Sequence, residues 1–368
     1  MTKRPSHPEK GSLPIIVWDG LGLSAQYSGI GVYGQSLFNS LNDLGCMPQV
    51  AALDGEMPPY VPEAQQVKVR SFENKFLSKV QKLKPCYPLW TYGACKETWP
   101  NSGVIFHGLS NLNLPLLRSK RSDDRFVVTI HDMISLNLED VTALSLQLMS
   151  VLPRVIARAD KIITGSYWTK IQLLERFGSG LSDKIFNLGY GTNVPADLGR
   201  EWSLRAIDGL AIGRGESYKR LEMFVNMAER MPEKRFVLVT NEQGRRRVKT
   251  PLPNLEVISN ISTTQLEVLY ANSKVFVHPS LYEGWCLPAA DALARGLQLL
   301  YCRGSGIDEV AGFGKKLVKG LNREAPLDDW VAGFLSLVSK EPPKGEQPML
   351  PSWLEIAQKT LKIYESLL

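Results

Sequence analysis

Residues 275–312, VFVHPSLYEGWCLPAADALARGLQLLYCRGSGIDEVAG, decide the fold of this chain. An apolar run, a turn rich in Gly and Pro, a helical segment and a second apolar run follow one another, which is the order of a βαβ unit with a parallel sheet. Pro288 suits the first turn of the helix, and Gly296 suits the position just beyond its end. The loop between strand and helix then lies at the carboxyl end of a parallel strand, where open α/β sheets bind ligands.

Two carboxylates accompany this loop: Glu283 lies on it, and Asp291 follows eight positions later. The string PSLYEGWCLPAADALARGLQL resembles the donor-site signature of retaining GT-B glycosyltransferases of family four, PSxYEGFGLPxLEAMAxGxPV. In that family the first acid contacts the transferred sugar and the second holds the ribose hydroxyls, which implies these roles for Glu283 and Asp291. The chain departs from the pattern at Asp291, which is one methylene shorter than Glu, and within the loop. The resemblance implies donor contacts for all four loop residues after the first acid: Gly284, Trp285, Cys286 and Leu287.

Two strings nearer the amino terminus extend the resemblance. SGIGVYGQSL, residues 28–37, resembles SGIGRYxxxL, whose glycine turn faces the donor diphosphate and the acceptor, so Gly29 and Gly31 become donor-binding candidates. An ordinary tight turn is the alternative interpretation. VVTIHDM, residues 127–133, resembles VVTIHDL, in which the histidine lies near the sugar. We therefore expect a neutral His131 that hydrogen-bonds a sugar hydroxyl, and we expect His107, at the end of another apolar run, to line the cleft.

The segment GLAIGRGESYKRL, residues 209–221, carries two basic side chains on one predicted loop. It resembles the family string VGRxxxxKN, whose Arg and Lys hold the distal phosphate, which implies that role for Arg214 and Lys219. A guanidinium fork and a flexible ammonium suit a diphosphate leaving group. Arg220 replaces the common Asn or Gly. By the same resemblance, backbone near Ile258 lines the pocket of the base.

The predicted fold is α/β of the GT-B type, with two Rossmann-like domains that face a central cleft. A chain of 368 residues exceeds what one hydrophobic core usually serves. We assign residues 1–191 to an acceptor-side domain and 192–346 to a nucleotide-sugar-binding domain, with a hinge near 191–206. Residues 347–368 form an amphipathic helix that, as in GT-B proteins, crosses back onto the first domain.

Composition restricts the partners. The net charge of +6 permits an anionic partner, but no nucleic-acid motif is present, and no apolar run approaches the length of a membrane span. Without the apolar core of a signal peptide, a cytoplasmic location is expected. Residues 67–84, VKVRSFENKFLSKVQKLK, predict a basic amphipathic helix. It is either an ordinary surface helix or a site for peripheral docking on the anionic inner face of a membrane.

The resemblance implies a retaining, metal-independent glycosyltransferase that moves a hexose from a nucleotide sugar to a saccharide or lipid-linked acceptor, as in the biosynthesis of surface polysaccharides. GDP-mannose is the favoured donor, with UDP-hexoses next. No cofactor is expected, and the sequence contains no D-x-D metal motif. His131, Arg214, Lys219 and Glu283 are the candidate catalytic residues. Two alternatives stay open: a nucleotide-sugar epimerase or hydrolase on the same fold, and a non-catalytic nucleotide-sugar-binding protein.

Overall fold

A computed structural model describes residues 14–24, 28–83, 86–138, 143–192, 201–248, 251–342 and 348–368. The chain divides into two compact units, residues 1–191 with 352–368 and residues 192–351. Most of the predicted hinge, residues 193–200, lies outside the described part. No helix within the described residues is long and apolar enough to span a membrane.

The first unit is built on a parallel sheet of seven strands in the order β3-β2-β1-β4-β5-β6-β7. The central strands are buried on both faces, which is why their sequences are continuously apolar rather than alternating. Its strands are β1 (Ile15–Asp19), β2 (Gln49–Leu53), β3 (Gln66–Val69), β4 (Val104–Gly108), β5 (Arg125–Ile130), β6 (Lys161–Thr164) and β7 (Ile185–Asn187). Its first six helices are α1 (Gly29–Asp43), α2 (Lys75–Gln81), α3 (Tyr87–Thr98), α4 (Ile134–Asn137), α5 (Ala143–Arg158) and α6 (Tyr167–Phe177).

The second unit repeats this plan with six parallel strands in the order β10-β9-β8-β11-β12-β13. Its strands are β8 (Ile207–Ile212), β9 (Phe236–Val239), β10 (Leu255–Ile258), β11 (Ser273–His278), β12 (Gln298–Cys302) and β13 (Val318–Leu321). Its helices are α7 (Leu221–Arg230), α8 (Glu242–Arg245), α9 (Thr263–Asn272), α10 (Leu287–Ala294), α11 (Ile307–Gly314) and α12 (Leu327–Val338). In both sheets the strand order reverses once, between β1 and β4 and between β8 and β11, while all strands stay parallel. The prediction of two Rossmann-like units is therefore confirmed.

Residues 275–312 fold as their sequence predicts. Pro288 lies in the first turn of α10, and Gly296 follows that helix in the left-handed region at φ 73°. Only glycine adopts that conformation without strain from a Cβ. The strand, loop, helix and second strand therefore place residues 279–286 at the carboxyl end of β11.

The last helix, α13 (Trp353–Glu365), belongs to the first unit and packs against α1. Ser352 and Glu355 form a capping box at its start. Tyr364 anchors it: the tyrosine hydroxyl accepts a hydrogen bond of 3.0 Å from Trp18 Nε1 and lies 2.7 Å from His107 Nδ1. These contacts bury His107 completely. The expectation that His107 lines a cleft was wrong, because the histidine is a buried link between β4 and α13.

Residues 67–84 do not form one helix. Residues 66–69 complete strand β3, and only Lys75–Gln81 is helical. The error has a physical reason: Val67 and Val69 alternate with polar residues and pair with β2, so tertiary pairing overrides the helical spacing. The apolar side chains of the predicted face are not packed into the core either, since Phe76 is 71% exposed.

Candidate functional site

The candidate donor site lies at the carboxyl edge of the second sheet, where β8 and β11 are neighbours. Strand order reverses between these two strands, which is the topological switch point where doubly wound sheets bind ligands. The loop after β8 carries Arg214 and Lys219, and the loop after β11 carries Glu283. The sheet therefore brings together two predicted groups that are 64 positions apart in the sequence.

Backbone contacts hold the two loops against each other. Leu281 donates its N–H to the carbonyl of Tyr218 over 2.8 Å, and Arg220 Nε donates to the carbonyl of Pro279 over 2.8 Å. Arg220 has φ 47° and ψ 46°, the left-handed conformation that Asn and Gly adopt most easily. This chain therefore places an arginine in a strained conformation and uses its guanidinium to join the loops.

A third loop, after β12, reaches the same place. Gly306 donates its N–H to the carbonyl of Glu283 over 2.9 Å. A Cβ on Gly306 would lie 2.0 Å from the carbonyl oxygen of Gly284. Any side chain at this position would therefore push the loop that carries Glu283 out of place.

Glu283 is the centre of the site. Its Oε1 lies 2.5 Å from Lys219 Nζ and 2.6 Å from His278 Nε2. The side chains of all three residues are largely buried. Burial alone would raise the pKa of Glu283, but the charges and hydrogen bonds of Lys219 and His278 outweigh it and hold this pKa well below its ordinary value. Burial likewise opposes the charge of Lys219, yet the Glu283 carboxylate raises the pKa of Lys219 overall. Both groups are ionised at neutral pH.

Arg214 is not part of this buried pair. Its guanidinium lies 3.0 Å from a carboxylate oxygen of Glu216 and its side chain is 63% exposed. Of the two predicted phosphate ligands, Arg214 is thus the one open to solvent, while Lys219 is held by Glu283. A diphosphate that binds both cations has to compete with a carboxylate for Lys219.

Asp291 lies in α10 and is partly exposed. Its Oδ1 is 3.6 Å from Arg295 Nη1, and Arg295 also binds Glu267 at 2.5 Å. Burial raises the pKa of Asp291 to about 6, although the charge of Arg295 acts in the opposite direction. The second predicted carboxylate is therefore easier to protonate than Glu283.

The loop between the two acids is buried. Gly284, Trp285 and Cys286 are all buried, and Leu287 begins α10. Cys286 has φ 80°, where the family signature has glycine. Burial raises the pKa of its thiol well above the ordinary value, so the thiol is neutral. Ile258 ends β10, and its carbonyl accepts a hydrogen bond of 2.9 Å from Thr240 N–H.

One cluster has ligand atoms close enough to hold a metal ion. Within the described residues, His278, Glu283 and Cys286 each offer one atom, and these atoms lie within 4.8 Å of one another. Chemistry does not favour a cation there, because the Lys219 ammonium already contacts the same carboxylate oxygen and the thiol is protonated. These three side chains therefore fit a hydrogen-bonded Glu283 carboxylate better than a metal centre.

The candidates in the first unit lie at its own switch point. Gly29 is exposed at the start of α1, whereas Gly31 donates its N–H to the Ser28 side chain over 3.0 Å in a helix cap. Helix α1 thus presents its amino terminus, as the glycine turn predicts, but the amide of Gly31 already has a protein acceptor.

His131 follows β5 and uses both ring nitrogens within the protein. Nε2 lies 2.7 Å from the carbonyl of Leu109, and Nδ1 contacts the Tyr190 hydroxyl. Since a carbonyl only accepts, Nε2 carries the proton and Nδ1 accepts from Tyr190. Burial lowers the pKa of His131 to about 4. A sugar hydroxyl can bind this imidazole only by replacing one of these two partners.

Sequence reasoning missed His278 and Arg220 as parts of the site. His278 ends β11, and the apolar run before it gave no sign that its ring reaches Glu283, five residues on. The available signal was that a histidine interrupts an apolar strand directly before the donor loop. Arg220 carried a weaker signal, because it stands where the family string has Asn or Gly.

Comparisons with known proteins agree with this geometry. Residues 207–345 match the family model described as Glycosyl transferases group 1. A stretch of 115 residues is 29% identical to the MMP alpha-(1->4)-mannosyltransferase of Mycolicibacterium hassiacum, covering 29% of this chain and 28% of that protein. The chain thus spans under a third of the length of this curated relative.

Solved structures resemble almost the whole chain. The sucrose-phosphate synthase of Thermosynechococcus elongatus has a TM-score of 0.72 at 16% identity, over 96% of this chain and 99% of that one. HepE of Anabaena, solved in complex with UDP-glucose, has a TM-score of 0.69 at 11% identity, over 96% and 100%. Identities this low show the fold alone, which is GT-B.

Proposed function

The carboxy-terminal unit, through residues 207–345, belongs to the group 1 glycosyl transferases, and we propose on this premise that the protein transfers a hexose from a nucleotide sugar to a hydroxyl group. The observation that carries the proposal is the buried Lys219–Glu283 pair at the switch point of the second sheet, beside the exposed guanidinium of Arg214. Cations suit a diphosphate, and a carboxylate suits sugar hydroxyls.

In the proposed reaction, the bond between the anomeric carbon of the sugar and the diphosphate oxygen breaks, and its electron pair leaves with the diphosphate. The acceptor hydroxyl forms the new bond on the same face, so configuration is retained. Its proton passes to the departing phosphate oxygen. Arg214 and Lys219 stabilise the charge that develops on the diphosphate, and the amino termini of nearby helices add to this effect. These cations supply the stabilisation that a divalent metal gives in other transferases.

Glu283 positions the sugar in this scheme. Its carboxylate accepts hydrogen bonds from hydroxyls, and its negative charge favours the oxocarbenium-like state through which the sugar passes. Asp291 holds the ribose. We take mannose as the preferred sugar because the partial relative is a mannosyltransferase, with UDP-hexoses as the next class because HepE was solved with UDP-glucose.

The test is a calorimetric titration of the full-length protein with UDP, GDP and ADP and their sugar conjugates, in EDTA and then in Mg²⁺. We expect one nucleotide family to bind without metal, and turnover of its sugar conjugate with a saccharide or lipid-linked acceptor. Binding without any transfer or hydrolysis would favour the non-catalytic alternative. Strict dependence on a divalent metal would contradict the role given to Arg214 and Lys219.

A membrane surface is the partner that the first unit supports best. Four apolar side chains are exposed on and around α2, between lysines that give the same surface a positive charge; we name this surface the α2 patch (Phe72, Phe76, Leu77 and Leu83 with Lys75 and Lys79). Exposed aromatic and aliphatic groups among lysines match anionic lipid, which attracts each nearby basic residue by about 1 kcal/mol. Such docking fits a lipid-linked acceptor and a peripheral location on the cytoplasmic face.

Sedimentation with vesicles tests this docking. A variant with Lys75, Lys79 and Phe76 replaced by Gln, Gln and Ser should lose binding to phosphatidylglycerol vesicles, whereas neither protein should bind phosphatidylcholine. Arg245→Gln with Arg246→Gln removes two exposed cations elsewhere and serves as the charge-matched control. Equal binding of the α2 variant and the wild type would remove the membrane from the proposal.

A further inference from the structure

His278 lies in the donor site but is assigned no role by the family signature. It is the last residue of β11, its side chain is 4% exposed, and its ring stacks on Phe276 with an interplanar angle of 11°. Strand geometry and this stacking leave the imidazole little freedom to turn. Its Nε2 points at Glu283 across the start of the loop, 2.6 Å from Oε1.

The protonation of this contact follows from its partners. Glu283 is ionised and offers only acceptors, so Nε2 of His278 must carry a proton. The Lys219 ammonium donates to the same oxygen, Oε1, over 2.5 Å. The sulfur of Cys286 lies 3.5 Å from the same imidazole nitrogen and packs behind it. Two donors from two different elements therefore fix Oε1 in place.

The second carboxylate oxygen of Glu283, Oε2, differs from Oε1 in its hydrogen bonds. Both hydrogen bonds described for the Glu283 carboxylate fall on Oε1, and Oε2 is not among the buried polar atoms left without a partner. Within the described residues, Oε2 therefore keeps acceptor capacity that a ligand can use. An ionised oxygen accepts hydrogen bonds and repels phosphate oxygens, so its matching ligand group is a hydroxyl.

We propose that His278 is a positioning residue that holds Oε1 of Glu283, so that Oε2 alone binds a hydroxyl of the transferred sugar. This inference rests on the proposed function and goes beyond it. It assigns the sugar contact to one atom, Oε2 of Glu283, and it assigns the orientation of that carboxylate to His278, a residue outside the family signature. In this arrangement Lys219 is shared between Glu283 and the diphosphate, whereas His278 does not bind the diphosphate. His278 therefore keeps the carboxylate oriented when Lys219 turns to the phosphate.

The experiment compares nucleoside diphosphates with their sugar conjugates. Calorimetry with UDP, UDP-glucose, GDP and GDP-mannose, in EDTA, is run on the wild type, His278→Phe and His278→Gln. Phe keeps the stacking on Phe276 but cannot donate, and Gln keeps a donor. Lys274→Gln, at the opposite end of the same strand, is the matched control, because Lys274 pairs with Asp208 away from the site.

We expect His278→Phe to weaken binding of the nucleotide sugar about tenfold, the effect of one charge-assisted hydrogen bond. Binding of the matching diphosphate should change by less than about twofold, as for the control. His278→Gln should recover most of the lost affinity. Equal weakening of diphosphate and conjugate would show a general structural role and overturn the proposal, as would unchanged affinity for both.

Two further outcomes separate this inference from the proposed function. If the wild type binds no nucleotide sugar, the proposed function fails and this inference fails with it. If the wild type binds the conjugate no more tightly than the diphosphate, only the sugar contact through Oε2 is overturned. ¹⁵N NMR of the wild-type histidines is independent of any variant's folding. A protonated Nε2 on His278 supports the geometry, and a bare Nε2 contradicts it.

Discussion

The two units share one topology but differ in the chemistry of their carboxyl edges. In the first unit two histidines near this edge are neutral: His107 is buried, His131 is partly buried, both hydrogen-bond to hydroxyl or carbonyl groups, and burial lowers their pKa values to about 3 and about 4. In the second unit the edge is ionic, with Lys219 and Glu283 paired at 2.5 Å. An ionic edge suits a ligand that carries charge. The same sheet order therefore carries two different kinds of polar contact.

Glu283→Gln should have the largest effect of any single change. The substitution leaves the Lys219 ammonium buried without its counter-ion, and breaking one side of a buried pair costs about 3–5 kcal/mol. We expect a clear fall in Tm and loss of transfer together. Asp328→Asn, which breaks the exposed pair with Arg230, is the control and should change neither. An unchanged Tm in Glu283→Gln would show that the second edge is not held by this ion pair.

Arg214→Ala should separate function from stability. Arg214 is largely exposed, so we expect the Tm to stay near that of the wild type. The loss of one donor to the leaving diphosphate should lower kcat by about a hundredfold or more. Lys219→Gln, in contrast, should lower both kcat and Tm, because Lys219 is buried with Glu283. Near-normal turnover by Arg214→Ala would contradict the proposed phosphate contact.

The buried, neutral His107 predicts a specific response to acid. A folded-state pKa of about 3 for His107 lies below the unfolded value of about 6.5. The unfolded chain therefore binds more protons in this interval, and the stability that His107 contributes is lost as pH falls below about 6.5. His107→Gln should weaken this dependence. Asp19 in the same unit acts oppositely, since burial raises its pKa to about 7, and the variant comparison cancels its effect.

Hydrogen exchange between pH 7.5 and pH 5 measures this response unit by unit. The difference in protection between the wild type and His107→Gln should appear in the first unit and shrink as pH falls, because the wild type loses the stability that its neutral histidine contributes. A difference of the same size at both pH values would contradict a neutral histidine. The second unit is the internal control, because the changed residue does not belong to it.

Cys286→Gly should have the smallest effect. Cys286 has φ 80°, so glycine removes strain of about 1–2 kcal/mol. The loss of a buried thiol and the added freedom of the unfolded chain offset most of this gain. We expect a Tm within a few degrees of the wild type. Gly296→Ala at φ 73° is the opposite test on the same loop and helix, and it should only destabilise.

The sequence was enough to predict strands β11 and β12, the loop after β11 and the ends of α10, because these depend on local patterns. Apolar runs, Pro288 and Gly296 act within a few residues of where they stand. It did not predict strand β3, because the pairing of Val67 and Val69 with β2 depends on residues far away in the sequence. The burial of His107 by α13 also depends on distant residues, since His107 and its partner Tyr364 are 257 positions apart.

The site shows the same division between local and distant information. The signature predicted that Lys219, Glu283 and Asp291 belong to one unit, and the structure places all three there. It did not predict that Lys219 and His278 share one oxygen of Glu283, because that depends on how two loops meet. Arg220 and Cys286 depart from the family strings, and their positive φ values explain why Asn or Gly is usual at such positions.

One measurement tests the central claim most directly: calorimetric binding of UDP-glucose and GDP-mannose, with their free diphosphates, to the wild type and Glu283→Gln in EDTA. The account predicts that one conjugate binds the wild type without metal and more tightly than its diphosphate, and that this sugar-dependent advantage disappears in the variant. Absence of nucleotide-sugar binding by the wild type, or an undiminished sugar advantage in Glu283→Gln, would contradict it.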